Sequence, residues 1–128
     1  MTENPQTPRP RFRTASLIVL TLDILGLLGL LYGFTVITHK FRHIFAELLE
    51  GRSLPALTQL VLSIPVTASA VFFMGAMAAL IYKELSVANK TATLLVNCAV
   101  FVLNLLLFMV LVLALFGPLV VIIGSLQK

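Results

Sequence analysis

The chain has 128 residues, of which 59% are hydrophobic and only 11% are charged. This composition supplies too little polar surface to cover a water-soluble fold, and three membrane spans with their connections would use nearly the whole length. The net charge of +4 does not indicate nucleic-acid binding, because the basic residues are spread over the ends of the apolar segments, where lipid headgroups are the expected partners.

The chain opens with a basic tail followed by a first apolar segment. Residues 1–14 include three prolines and three arginines and little that could form a core, which predicts a flexible tail. Between Arg13 and His39 the only ionisable group is Asp23. Because about 20 apolar residues cross the ~30 Å hydrocarbon core as a helix, we expect a first span over 15–38.

The connection after the first span carries a helical pattern of its own. Apolar side chains recur at helical spacing along one face, while charged and polar residues occupy the other. The apolar face consists of Phe41, Ile44, Phe45, Leu48 and Leu49. Gly51 stands where a C-terminal cap belongs, Ser53 is a possible N-cap, and Pro55 suits the first turn of the next helix. We therefore predict a short amphipathic helix over about 39–50, which lies in the membrane interface or packs on the end of the helix bundle.

Two further segments lack ionisable groups altogether. They predict a second span over 55–82 and a third over 91–126, both longer than a bilayer requires. Pro65 and Pro118 are the expected bend points, because each removes one helical hydrogen bond. The short connection from Lys83 to Lys90 predicts that these two spans are antiparallel neighbours.

The predicted fold class is therefore an all-α membrane protein, with a single three-helix transmembrane domain over 15–128. Three arginines precede the first span, which favours a cytoplasmic N-terminus and a periplasmic C-terminus in a bacterial inner membrane.

Asp23 is the first residue to examine for function. A charged carboxylate about 12 Å into the first span costs roughly 2.5–3.5 kcal/mol, so it must be protonated, paired, hydrated or in contact with a partner subunit. Asn97 and Asn104 lie seven residues apart on one face of the third span, at matching depth. We expect an intramembrane polar cluster of Asp23, Asn97 and Asn104, acting as a clamp between helices, as a proton or ion relay, or as a contact with another protein.

Small residues form a second pattern. Gly26, Gly29 and Gly33 share spacing on the first span, and Gly75 and Ala79 repeat a small-xxx-small spacing on the second. Such faces allow close helix packing, either within the chain or between subunits.

Metal binding and catalysis have weak support. His39, His43 and Glu47 stand four residues apart and offer ligands of zinc type, but an interfacial polar face explains the same residues. Cys98, the one cysteine, reads as a packed apolar side chain. No nucleophile has a basic partner nearby and no phosphate-binding glycine loop is present, so we expect neither an enzyme nor a metal or other cofactor.

The segment around the first connection resembles a known family. Two aromatic residues, Phe41 and Phe45, precede the sequence Gly-x-x-Leu-Pro-x-x-Thr, formed here by Gly51, Leu54, Pro55 and Thr58. This pattern is similar to that of the type II secretion F and type IV pilus inner-membrane platform family. The chain resembles the membrane-spanning part of that family and lacks its cytoplasmic helical domains. The resemblance implies three spans and a cytoplasmic N-terminus.

Three functions follow as hypotheses. The first is a non-enzymatic inner-membrane subunit that packs in, or helps assemble, a larger membrane complex. The second is a homo-oligomeric pore or transporter that uses Asp23. The third is a reduced component of a secretion or pilus platform. The expected partners are membrane lipids and other integral membrane subunits or further copies of this chain, and not nucleic acid.

Overall fold

The computed structural model describes residues 10–128. The regular secondary structure of this part of the chain is all helical, and three of its helical stretches, Arg11–Leu48, Val66–Ser86 and Lys90–Leu126, are long and apolar enough to span a membrane. The all-α fold class and the three membrane-capable helices are thereby confirmed. The elements are α1 (Pro10–Tyr32), a π-helical segment (Gly33–Ile37), α2 (Thr38–Leu48), α3 (Ala56–Ser63), α4 (Val66–Ser86) and α5 (Lys90–Leu126).

The first helix begins earlier than the sequence indicated. α1 starts at Pro10, so residues 10–14 of the predicted tail are helical, and the remainder of that tail lies outside the described residues. Proline suits this position because the first helical N–H has no partner in the helix and its loss costs nothing.

The amphipathic segment is helical, as predicted, but it is not a separate element. α1, the π-helical segment and α2 follow one another without a break from Pro10 to Leu48. The N–H of Thr38 donates to the carbonyl of Gly33, five residues back, as in a π-helix. No proline interrupts the chain here, so the first span continues into α2 without a turn.

The second predicted span is divided in two. α3 ends at Ser63, Ile64 is extended with ψ 122°, and α4 begins after Pro65. The residue before a proline avoids the helical region and proline has no N–H, so this pair ends α3. Ser53 is not the N-cap of α3; Pro55 occupies that position. Pro118, by contrast, lies inside the continuous α5.

α1 and α5 run parallel to each other, and α4 runs antiparallel to both. Asn97 near the start of α5 contacts Ser16 near the start of α1, and the rings of Phe41 and Phe116 lie 5.6 Å apart near the other end. Where the three helices meet they bury an apolar core that includes Leu27, Leu30, Phe34, Phe73, Leu80 and Leu111.

These contacts also define heights along the bundle. From Asn97 to Phe116, α5 rises about 28 Å, close to the ~30 Å thickness of the hydrocarbon core. Residues 117–126 continue for about another 15 Å beyond Phe116. The Phe116 ring contacts the ring of Phe41, which lies between Lys40 and Arg42 in the sequence. We call α2, α3 and residues 113–126 of α5 the head.

Candidate functional site

A buried polar layer joins the three long helices near the start of α1. The Ser16 hydroxyl donates to both carboxylate oxygens of Glu84 at 3.0 Å. The Asn97 amide donates to the Ser16 carbonyl at 3.3 Å and to Glu84 Oε2 at 3.4 Å. Each helix thus supplies one buried member, so the hydrogen bonds fix the rotation of the helices about their axes.

Two lysines complete this polar layer. The Lys83 ammonium donates to Asn97 Oδ1 and, at 3.4 Å, to the carbonyl of Thr93. The Lys90 ammonium donates to the carbonyl of Glu84 at 2.7 Å and lies 3.5 Å from Glu84 Oε1. Glu84 is therefore a buried carboxylate whose charge is compensated, and we use the name polar layer for Ser16, Lys83, Glu84, Lys90 and Asn97.

Asp23 lies two helical turns deeper than Ser16, about 10 Å along α1. Its side chain is fully buried, and neither carboxylate oxygen has a hydrogen-bond partner. Asn97, which was predicted to cluster with Asp23 and Asn104, instead bonds to Lys83 and Glu84 in the polar layer. Asn104 does lie at the height of Asp23, but its amide donates to the Asp23 backbone carbonyl at 3.3 Å.

Sequence reasoning missed Ser16, Lys83 and Glu84 as members of the site. A signal was present, because Ser16 and Asp23 have the same seven-residue spacing on α1 as Asn97 and Asn104 have on α5. Two parallel helices with matching polar spacings indicate two polar layers, one at each height.

The predicted packing glycines divide into two groups. A Cβ on Gly26 would lie 3.1 Å from Asn104 Nδ2, and one on Gly33 would lie 2.5 Å from Leu111 Cδ2, so both lie where α1 meets α5. Gly29 and Gly75 have no atom within 4 Å of such a Cβ, and Ala79 is exposed. These three face outward and do not pack within the chain.

In the head, side chains bind the backbone carbonyls that the prolines leave without donors. Thr58 Oγ1 donates to the carbonyl of Ala114 at 2.6 Å. In a helix that carbonyl would accept from residue 118, which is a proline and has no N–H. Arg42 Nη2 donates to the carbonyl of Leu62, which has no helical donor because α3 ends at Ser63, before Pro65.

The residues of the motif that resembles the platform family pack together in the head. Phe45 is buried, and the Phe41 ring contacts the rings of both Phe45 and Phe116 at 5.6 Å. Gly51 has φ +90°, a conformation that glycine adopts without a steric penalty, and it reverses the chain between α2 and α3. Leu54 packs against the core, Pro55 precedes α3, and Thr58 is buried against α5.

The surface of the head is sharply divided. The outer face of α2 exposes polar and charged side chains, among them Lys40, His43 and Glu47. The outer faces of α3 and of the end of α5 expose large apolar side chains at many positions and no charged ones, and we call the apolar part of this surface the apolar face. Its members are Leu57, Leu60, Leu113, Phe116, Val120, Val121, Ile123 and Leu126.

The histidines show no site for a metal. The rings of His39 and His43 meet edge to face with centroids 4.9 Å apart, and both residues and Glu47 are exposed on α2. Among residues 10–128 no three metal-ligating side chains of the His, Cys, Asp and Glu type are grouped together. Cys98 is exposed on α5 and is not packed in the core, contrary to the prediction.

No protein-family model matches this chain, and no curated protein and no solved structure does so either. The described residues form an integral membrane protein of three apolar helices, with a buried polar layer toward one end and the head at the other.

Proposed function

We propose that this chain is a non-enzymatic subunit of a membrane protein complex and that it docks to its partner through the apolar face of the head. The observation that carries this proposal is the large, uncharged surface of α3 and the end of α5, which includes Val120 and Val121 at 69% and 71% exposure. An exposed apolar surface of this kind marks an interaction site when lipid does not cover it.

The position of the head along the bundle indicates that lipid does not cover the apolar face. The Phe116 ring contacts the Phe41 ring, and α2 exposes Lys40, His43 and Glu47 beside and beyond Phe41. Ionised side chains at this height are expensive inside hydrocarbon, so the bilayer edge belongs near Phe116. Residues 117–126 then extend about 15 Å past that edge with no charged side chain.

The partner is expected to offer a matching apolar helical surface. α5 between Lys90 and Lys128 has no charged side chain, so the apolar face has nothing to pair with charged groups of a partner. A helix that is apolar on all sides is normally buried by protein or lipid. We infer that the partner is another integral membrane protein, with part of its structure projecting to the same height.

Photo-crosslinking in native membranes tests this function. A photoreactive amino acid at Val121 should crosslink to one discrete protein, whereas the same group at Leu105, exposed in the middle of α5, should label lipid. Crosslinking of Val121 to lipid alone would overturn the proposal. A crosslink to a second copy of this chain would show that the complex is a homo-oligomer.

The family resemblance supports a second proposal, a reduced component of a secretion or pilus platform. Its support is that Phe41, Phe45, Gly51 and Thr58 form one ordered hairpin against α5, so the motif acts as a unit of structure here. Co-purification with an assembly ATPase or a pilin is the expected result. Absence of both from a complex captured through Val121 would remove this reading and leave the first.

A further inference from the structure

We propose that the Asp23 carboxyl group is a buried proton-binding site, and that the polar layer is its route to water at the end of the bundle where α4 meets α5. This site is separate from the head and does not depend on the docking proposal. It assigns a ligand, the proton, to the one buried side chain in the described chain whose polar atoms have no partner.

The first argument is the surroundings of Asp23. The side chain is completely buried in the middle of a membrane-spanning helix, and neither oxygen accepts a hydrogen bond. Its neighbour Asn104 directs its amide to the backbone carbonyl and leaves the carboxylate without a donor. An ionised carboxylate without donors in such a place is costly, and binding one proton removes the charge without requiring another protein group.

The second argument is the absence of the ligands that a metal ion would need. Residues 10–128 hold no grouping of three metal-ligating side chains of the His, Cys, Asp and Glu type, so Asp23 does not belong to such a cluster. A single carboxylate falls short of the several oxygen ligands taken by divalent cations. A proton needs only one oxygen atom.

The third argument is the route. The charged groups on the helices packed against α1 are Lys83 and Glu84 of α4 and Lys90 at the start of α5. Lys83 acts electrostatically on Asp23 while its ammonium group is held by Asn97 in the polar layer. Toward the other end, the buried hydroxyls of Thr38 and Ser69 donate to backbone carbonyls of their own helical stretches. The charged groups near Asp23 on the packed helices therefore lie toward one end of the bundle.

The proton balance is simple. A proton from water at the α4–α5 end forms an O–H bond at one Asp23 oxygen, and the reverse step returns it to water at that end. No other covalent bond changes. The carboxyl is neutral when occupied and carries one negative charge, facing the positive charge of Lys83, when empty.

A carbodiimide that partitions into membranes tests the site in the full chain. The protonated carboxyl adds across a carbodiimide C=N bond, and the adduct rearranges to a stable N-acylurea that mass spectrometry maps to a residue. We expect labelling at Asp23, with a rate that falls about tenfold per pH unit above the titration midpoint as the protonated fraction falls. D23N should lose this adduct, whereas T21V, two residues away on the exposed side of α1, should keep it.

The direction of access is tested in proteoliposomes with different pH inside and outside. A cleavable N-terminal tag identifies the molecules whose α1 start faces outward, because external protease removes the tag only from them. In those molecules the labelling rate should follow the external pH. No adduct at Asp23 at any pH, a rate independent of pH, or a rate that follows the pH on the head side would each overturn the proposal. Mapping in the unmodified chain holds even if D23N does not fold.

Discussion

Thr58 donates the hydrogen bond that Pro118 removes from α5. Its hydroxyl lies 2.6 Å from the carbonyl of Ala114, four residues before the proline. The two residues are far apart in the sequence, and they belong to a hairpin and to a long helix that would otherwise meet only through apolar contacts. A buried carbonyl without a donor is unfavourable, so α5 tolerates its proline because α3 is docked there.

We expect Thr58→Val to destabilise the protein by about 1–2 kcal/mol, because valine keeps the shape and leaves the Ala114 carbonyl unpaired. Thr58→Ser should retain most of the stability. The measurement is unfolding in mixed detergent micelles. In a Pro118→Ala background the helix supplies its own N–H to Ala114, so the cost of Thr58→Val should fall below about 0.5 kcal/mol. An equal cost in both backgrounds would show that the hydrogen bond does not couple the two sites.

Gly33 should resist substitution, although Gly29, on the same helix, should accept it. A Cβ at Gly33 would lie 2.5 Å from Leu111 Cδ2, so Gly33→Ala requires Leu111 to move within a buried contact, at an expected cost of about 1–2 kcal/mol. Gly29→Ala meets no atom within 4 Å and should stabilise α1 by up to about 1 kcal/mol through helix propensity. Unfolding of both variants in the same micelles compares them directly, and a similar loss at both positions would contradict the assigned contact.

The two asparagines of α5 should differ in importance. Asn97 bonds to the charged groups of Lys83 and Glu84, so we expect Asn97→Leu to cost about 2–3 kcal/mol. Asn104 makes one hydrogen bond to a carbonyl inside α1, so Asn104→Leu should cost about 1 kcal/mol or less. The free energies of unfolding of these isosteric variants provide the test. A larger loss at Asn104 would mean that the deeper position holds the helices together.

The spans and the polar heights were predictable, but the bonding partners were not. The absence of charge is a property of each segment, and the seven-residue spacings of Ser16 with Asp23 and of Asn97 with Asn104 are visible in the sequence. Which residue of α4 faces inward depends on how that helix is rotated, and neighbouring residues differ by about 100° around a helix. The sequence therefore indicated Lys83 as the end of a span, whereas in the structure Glu84 is the buried residue.

The hydrogen bond from Thr58 to the Ala114 carbonyl in the head shows a second limit of prediction from the sequence. The acceptor of Thr58 is a backbone carbonyl, which carries no sequence signature. Only Pro118 marks that carbonyl, because a proline in a helix leaves the carbonyl four residues earlier without its donor. The sequence therefore indicated where a hydrogen bond was missing from α5 and gave no information about which side chain would supply it.

The proposed position of the bilayer edge near Phe116 leads to a test by chemical labelling. In a Cys98→Ala background, we expect Val121→Cys to react with a membrane-impermeant maleimide when the purified chain is reconstituted with its head outward. Val121 is 71% exposed and lies beyond Phe116, where α2 exposes Lys40 and His43 at a similar height. Water reaches this cysteine because no partner is present in the reconstituted vesicles.

Cysteines at matched positions on either side of the proposed bilayer edge serve as controls. Glu47→Cys, on the polar face of α2, should react as fully as Val121→Cys, whereas Leu105→Cys, exposed in the middle of α5, should be protected by acyl chains. Equal protection of Val121→Cys and Leu105→Cys would mean that hydrocarbon covers the head, so the apolar face would need no protein partner. In that case α5 would have to tilt steeply to bring its last residues into the bilayer.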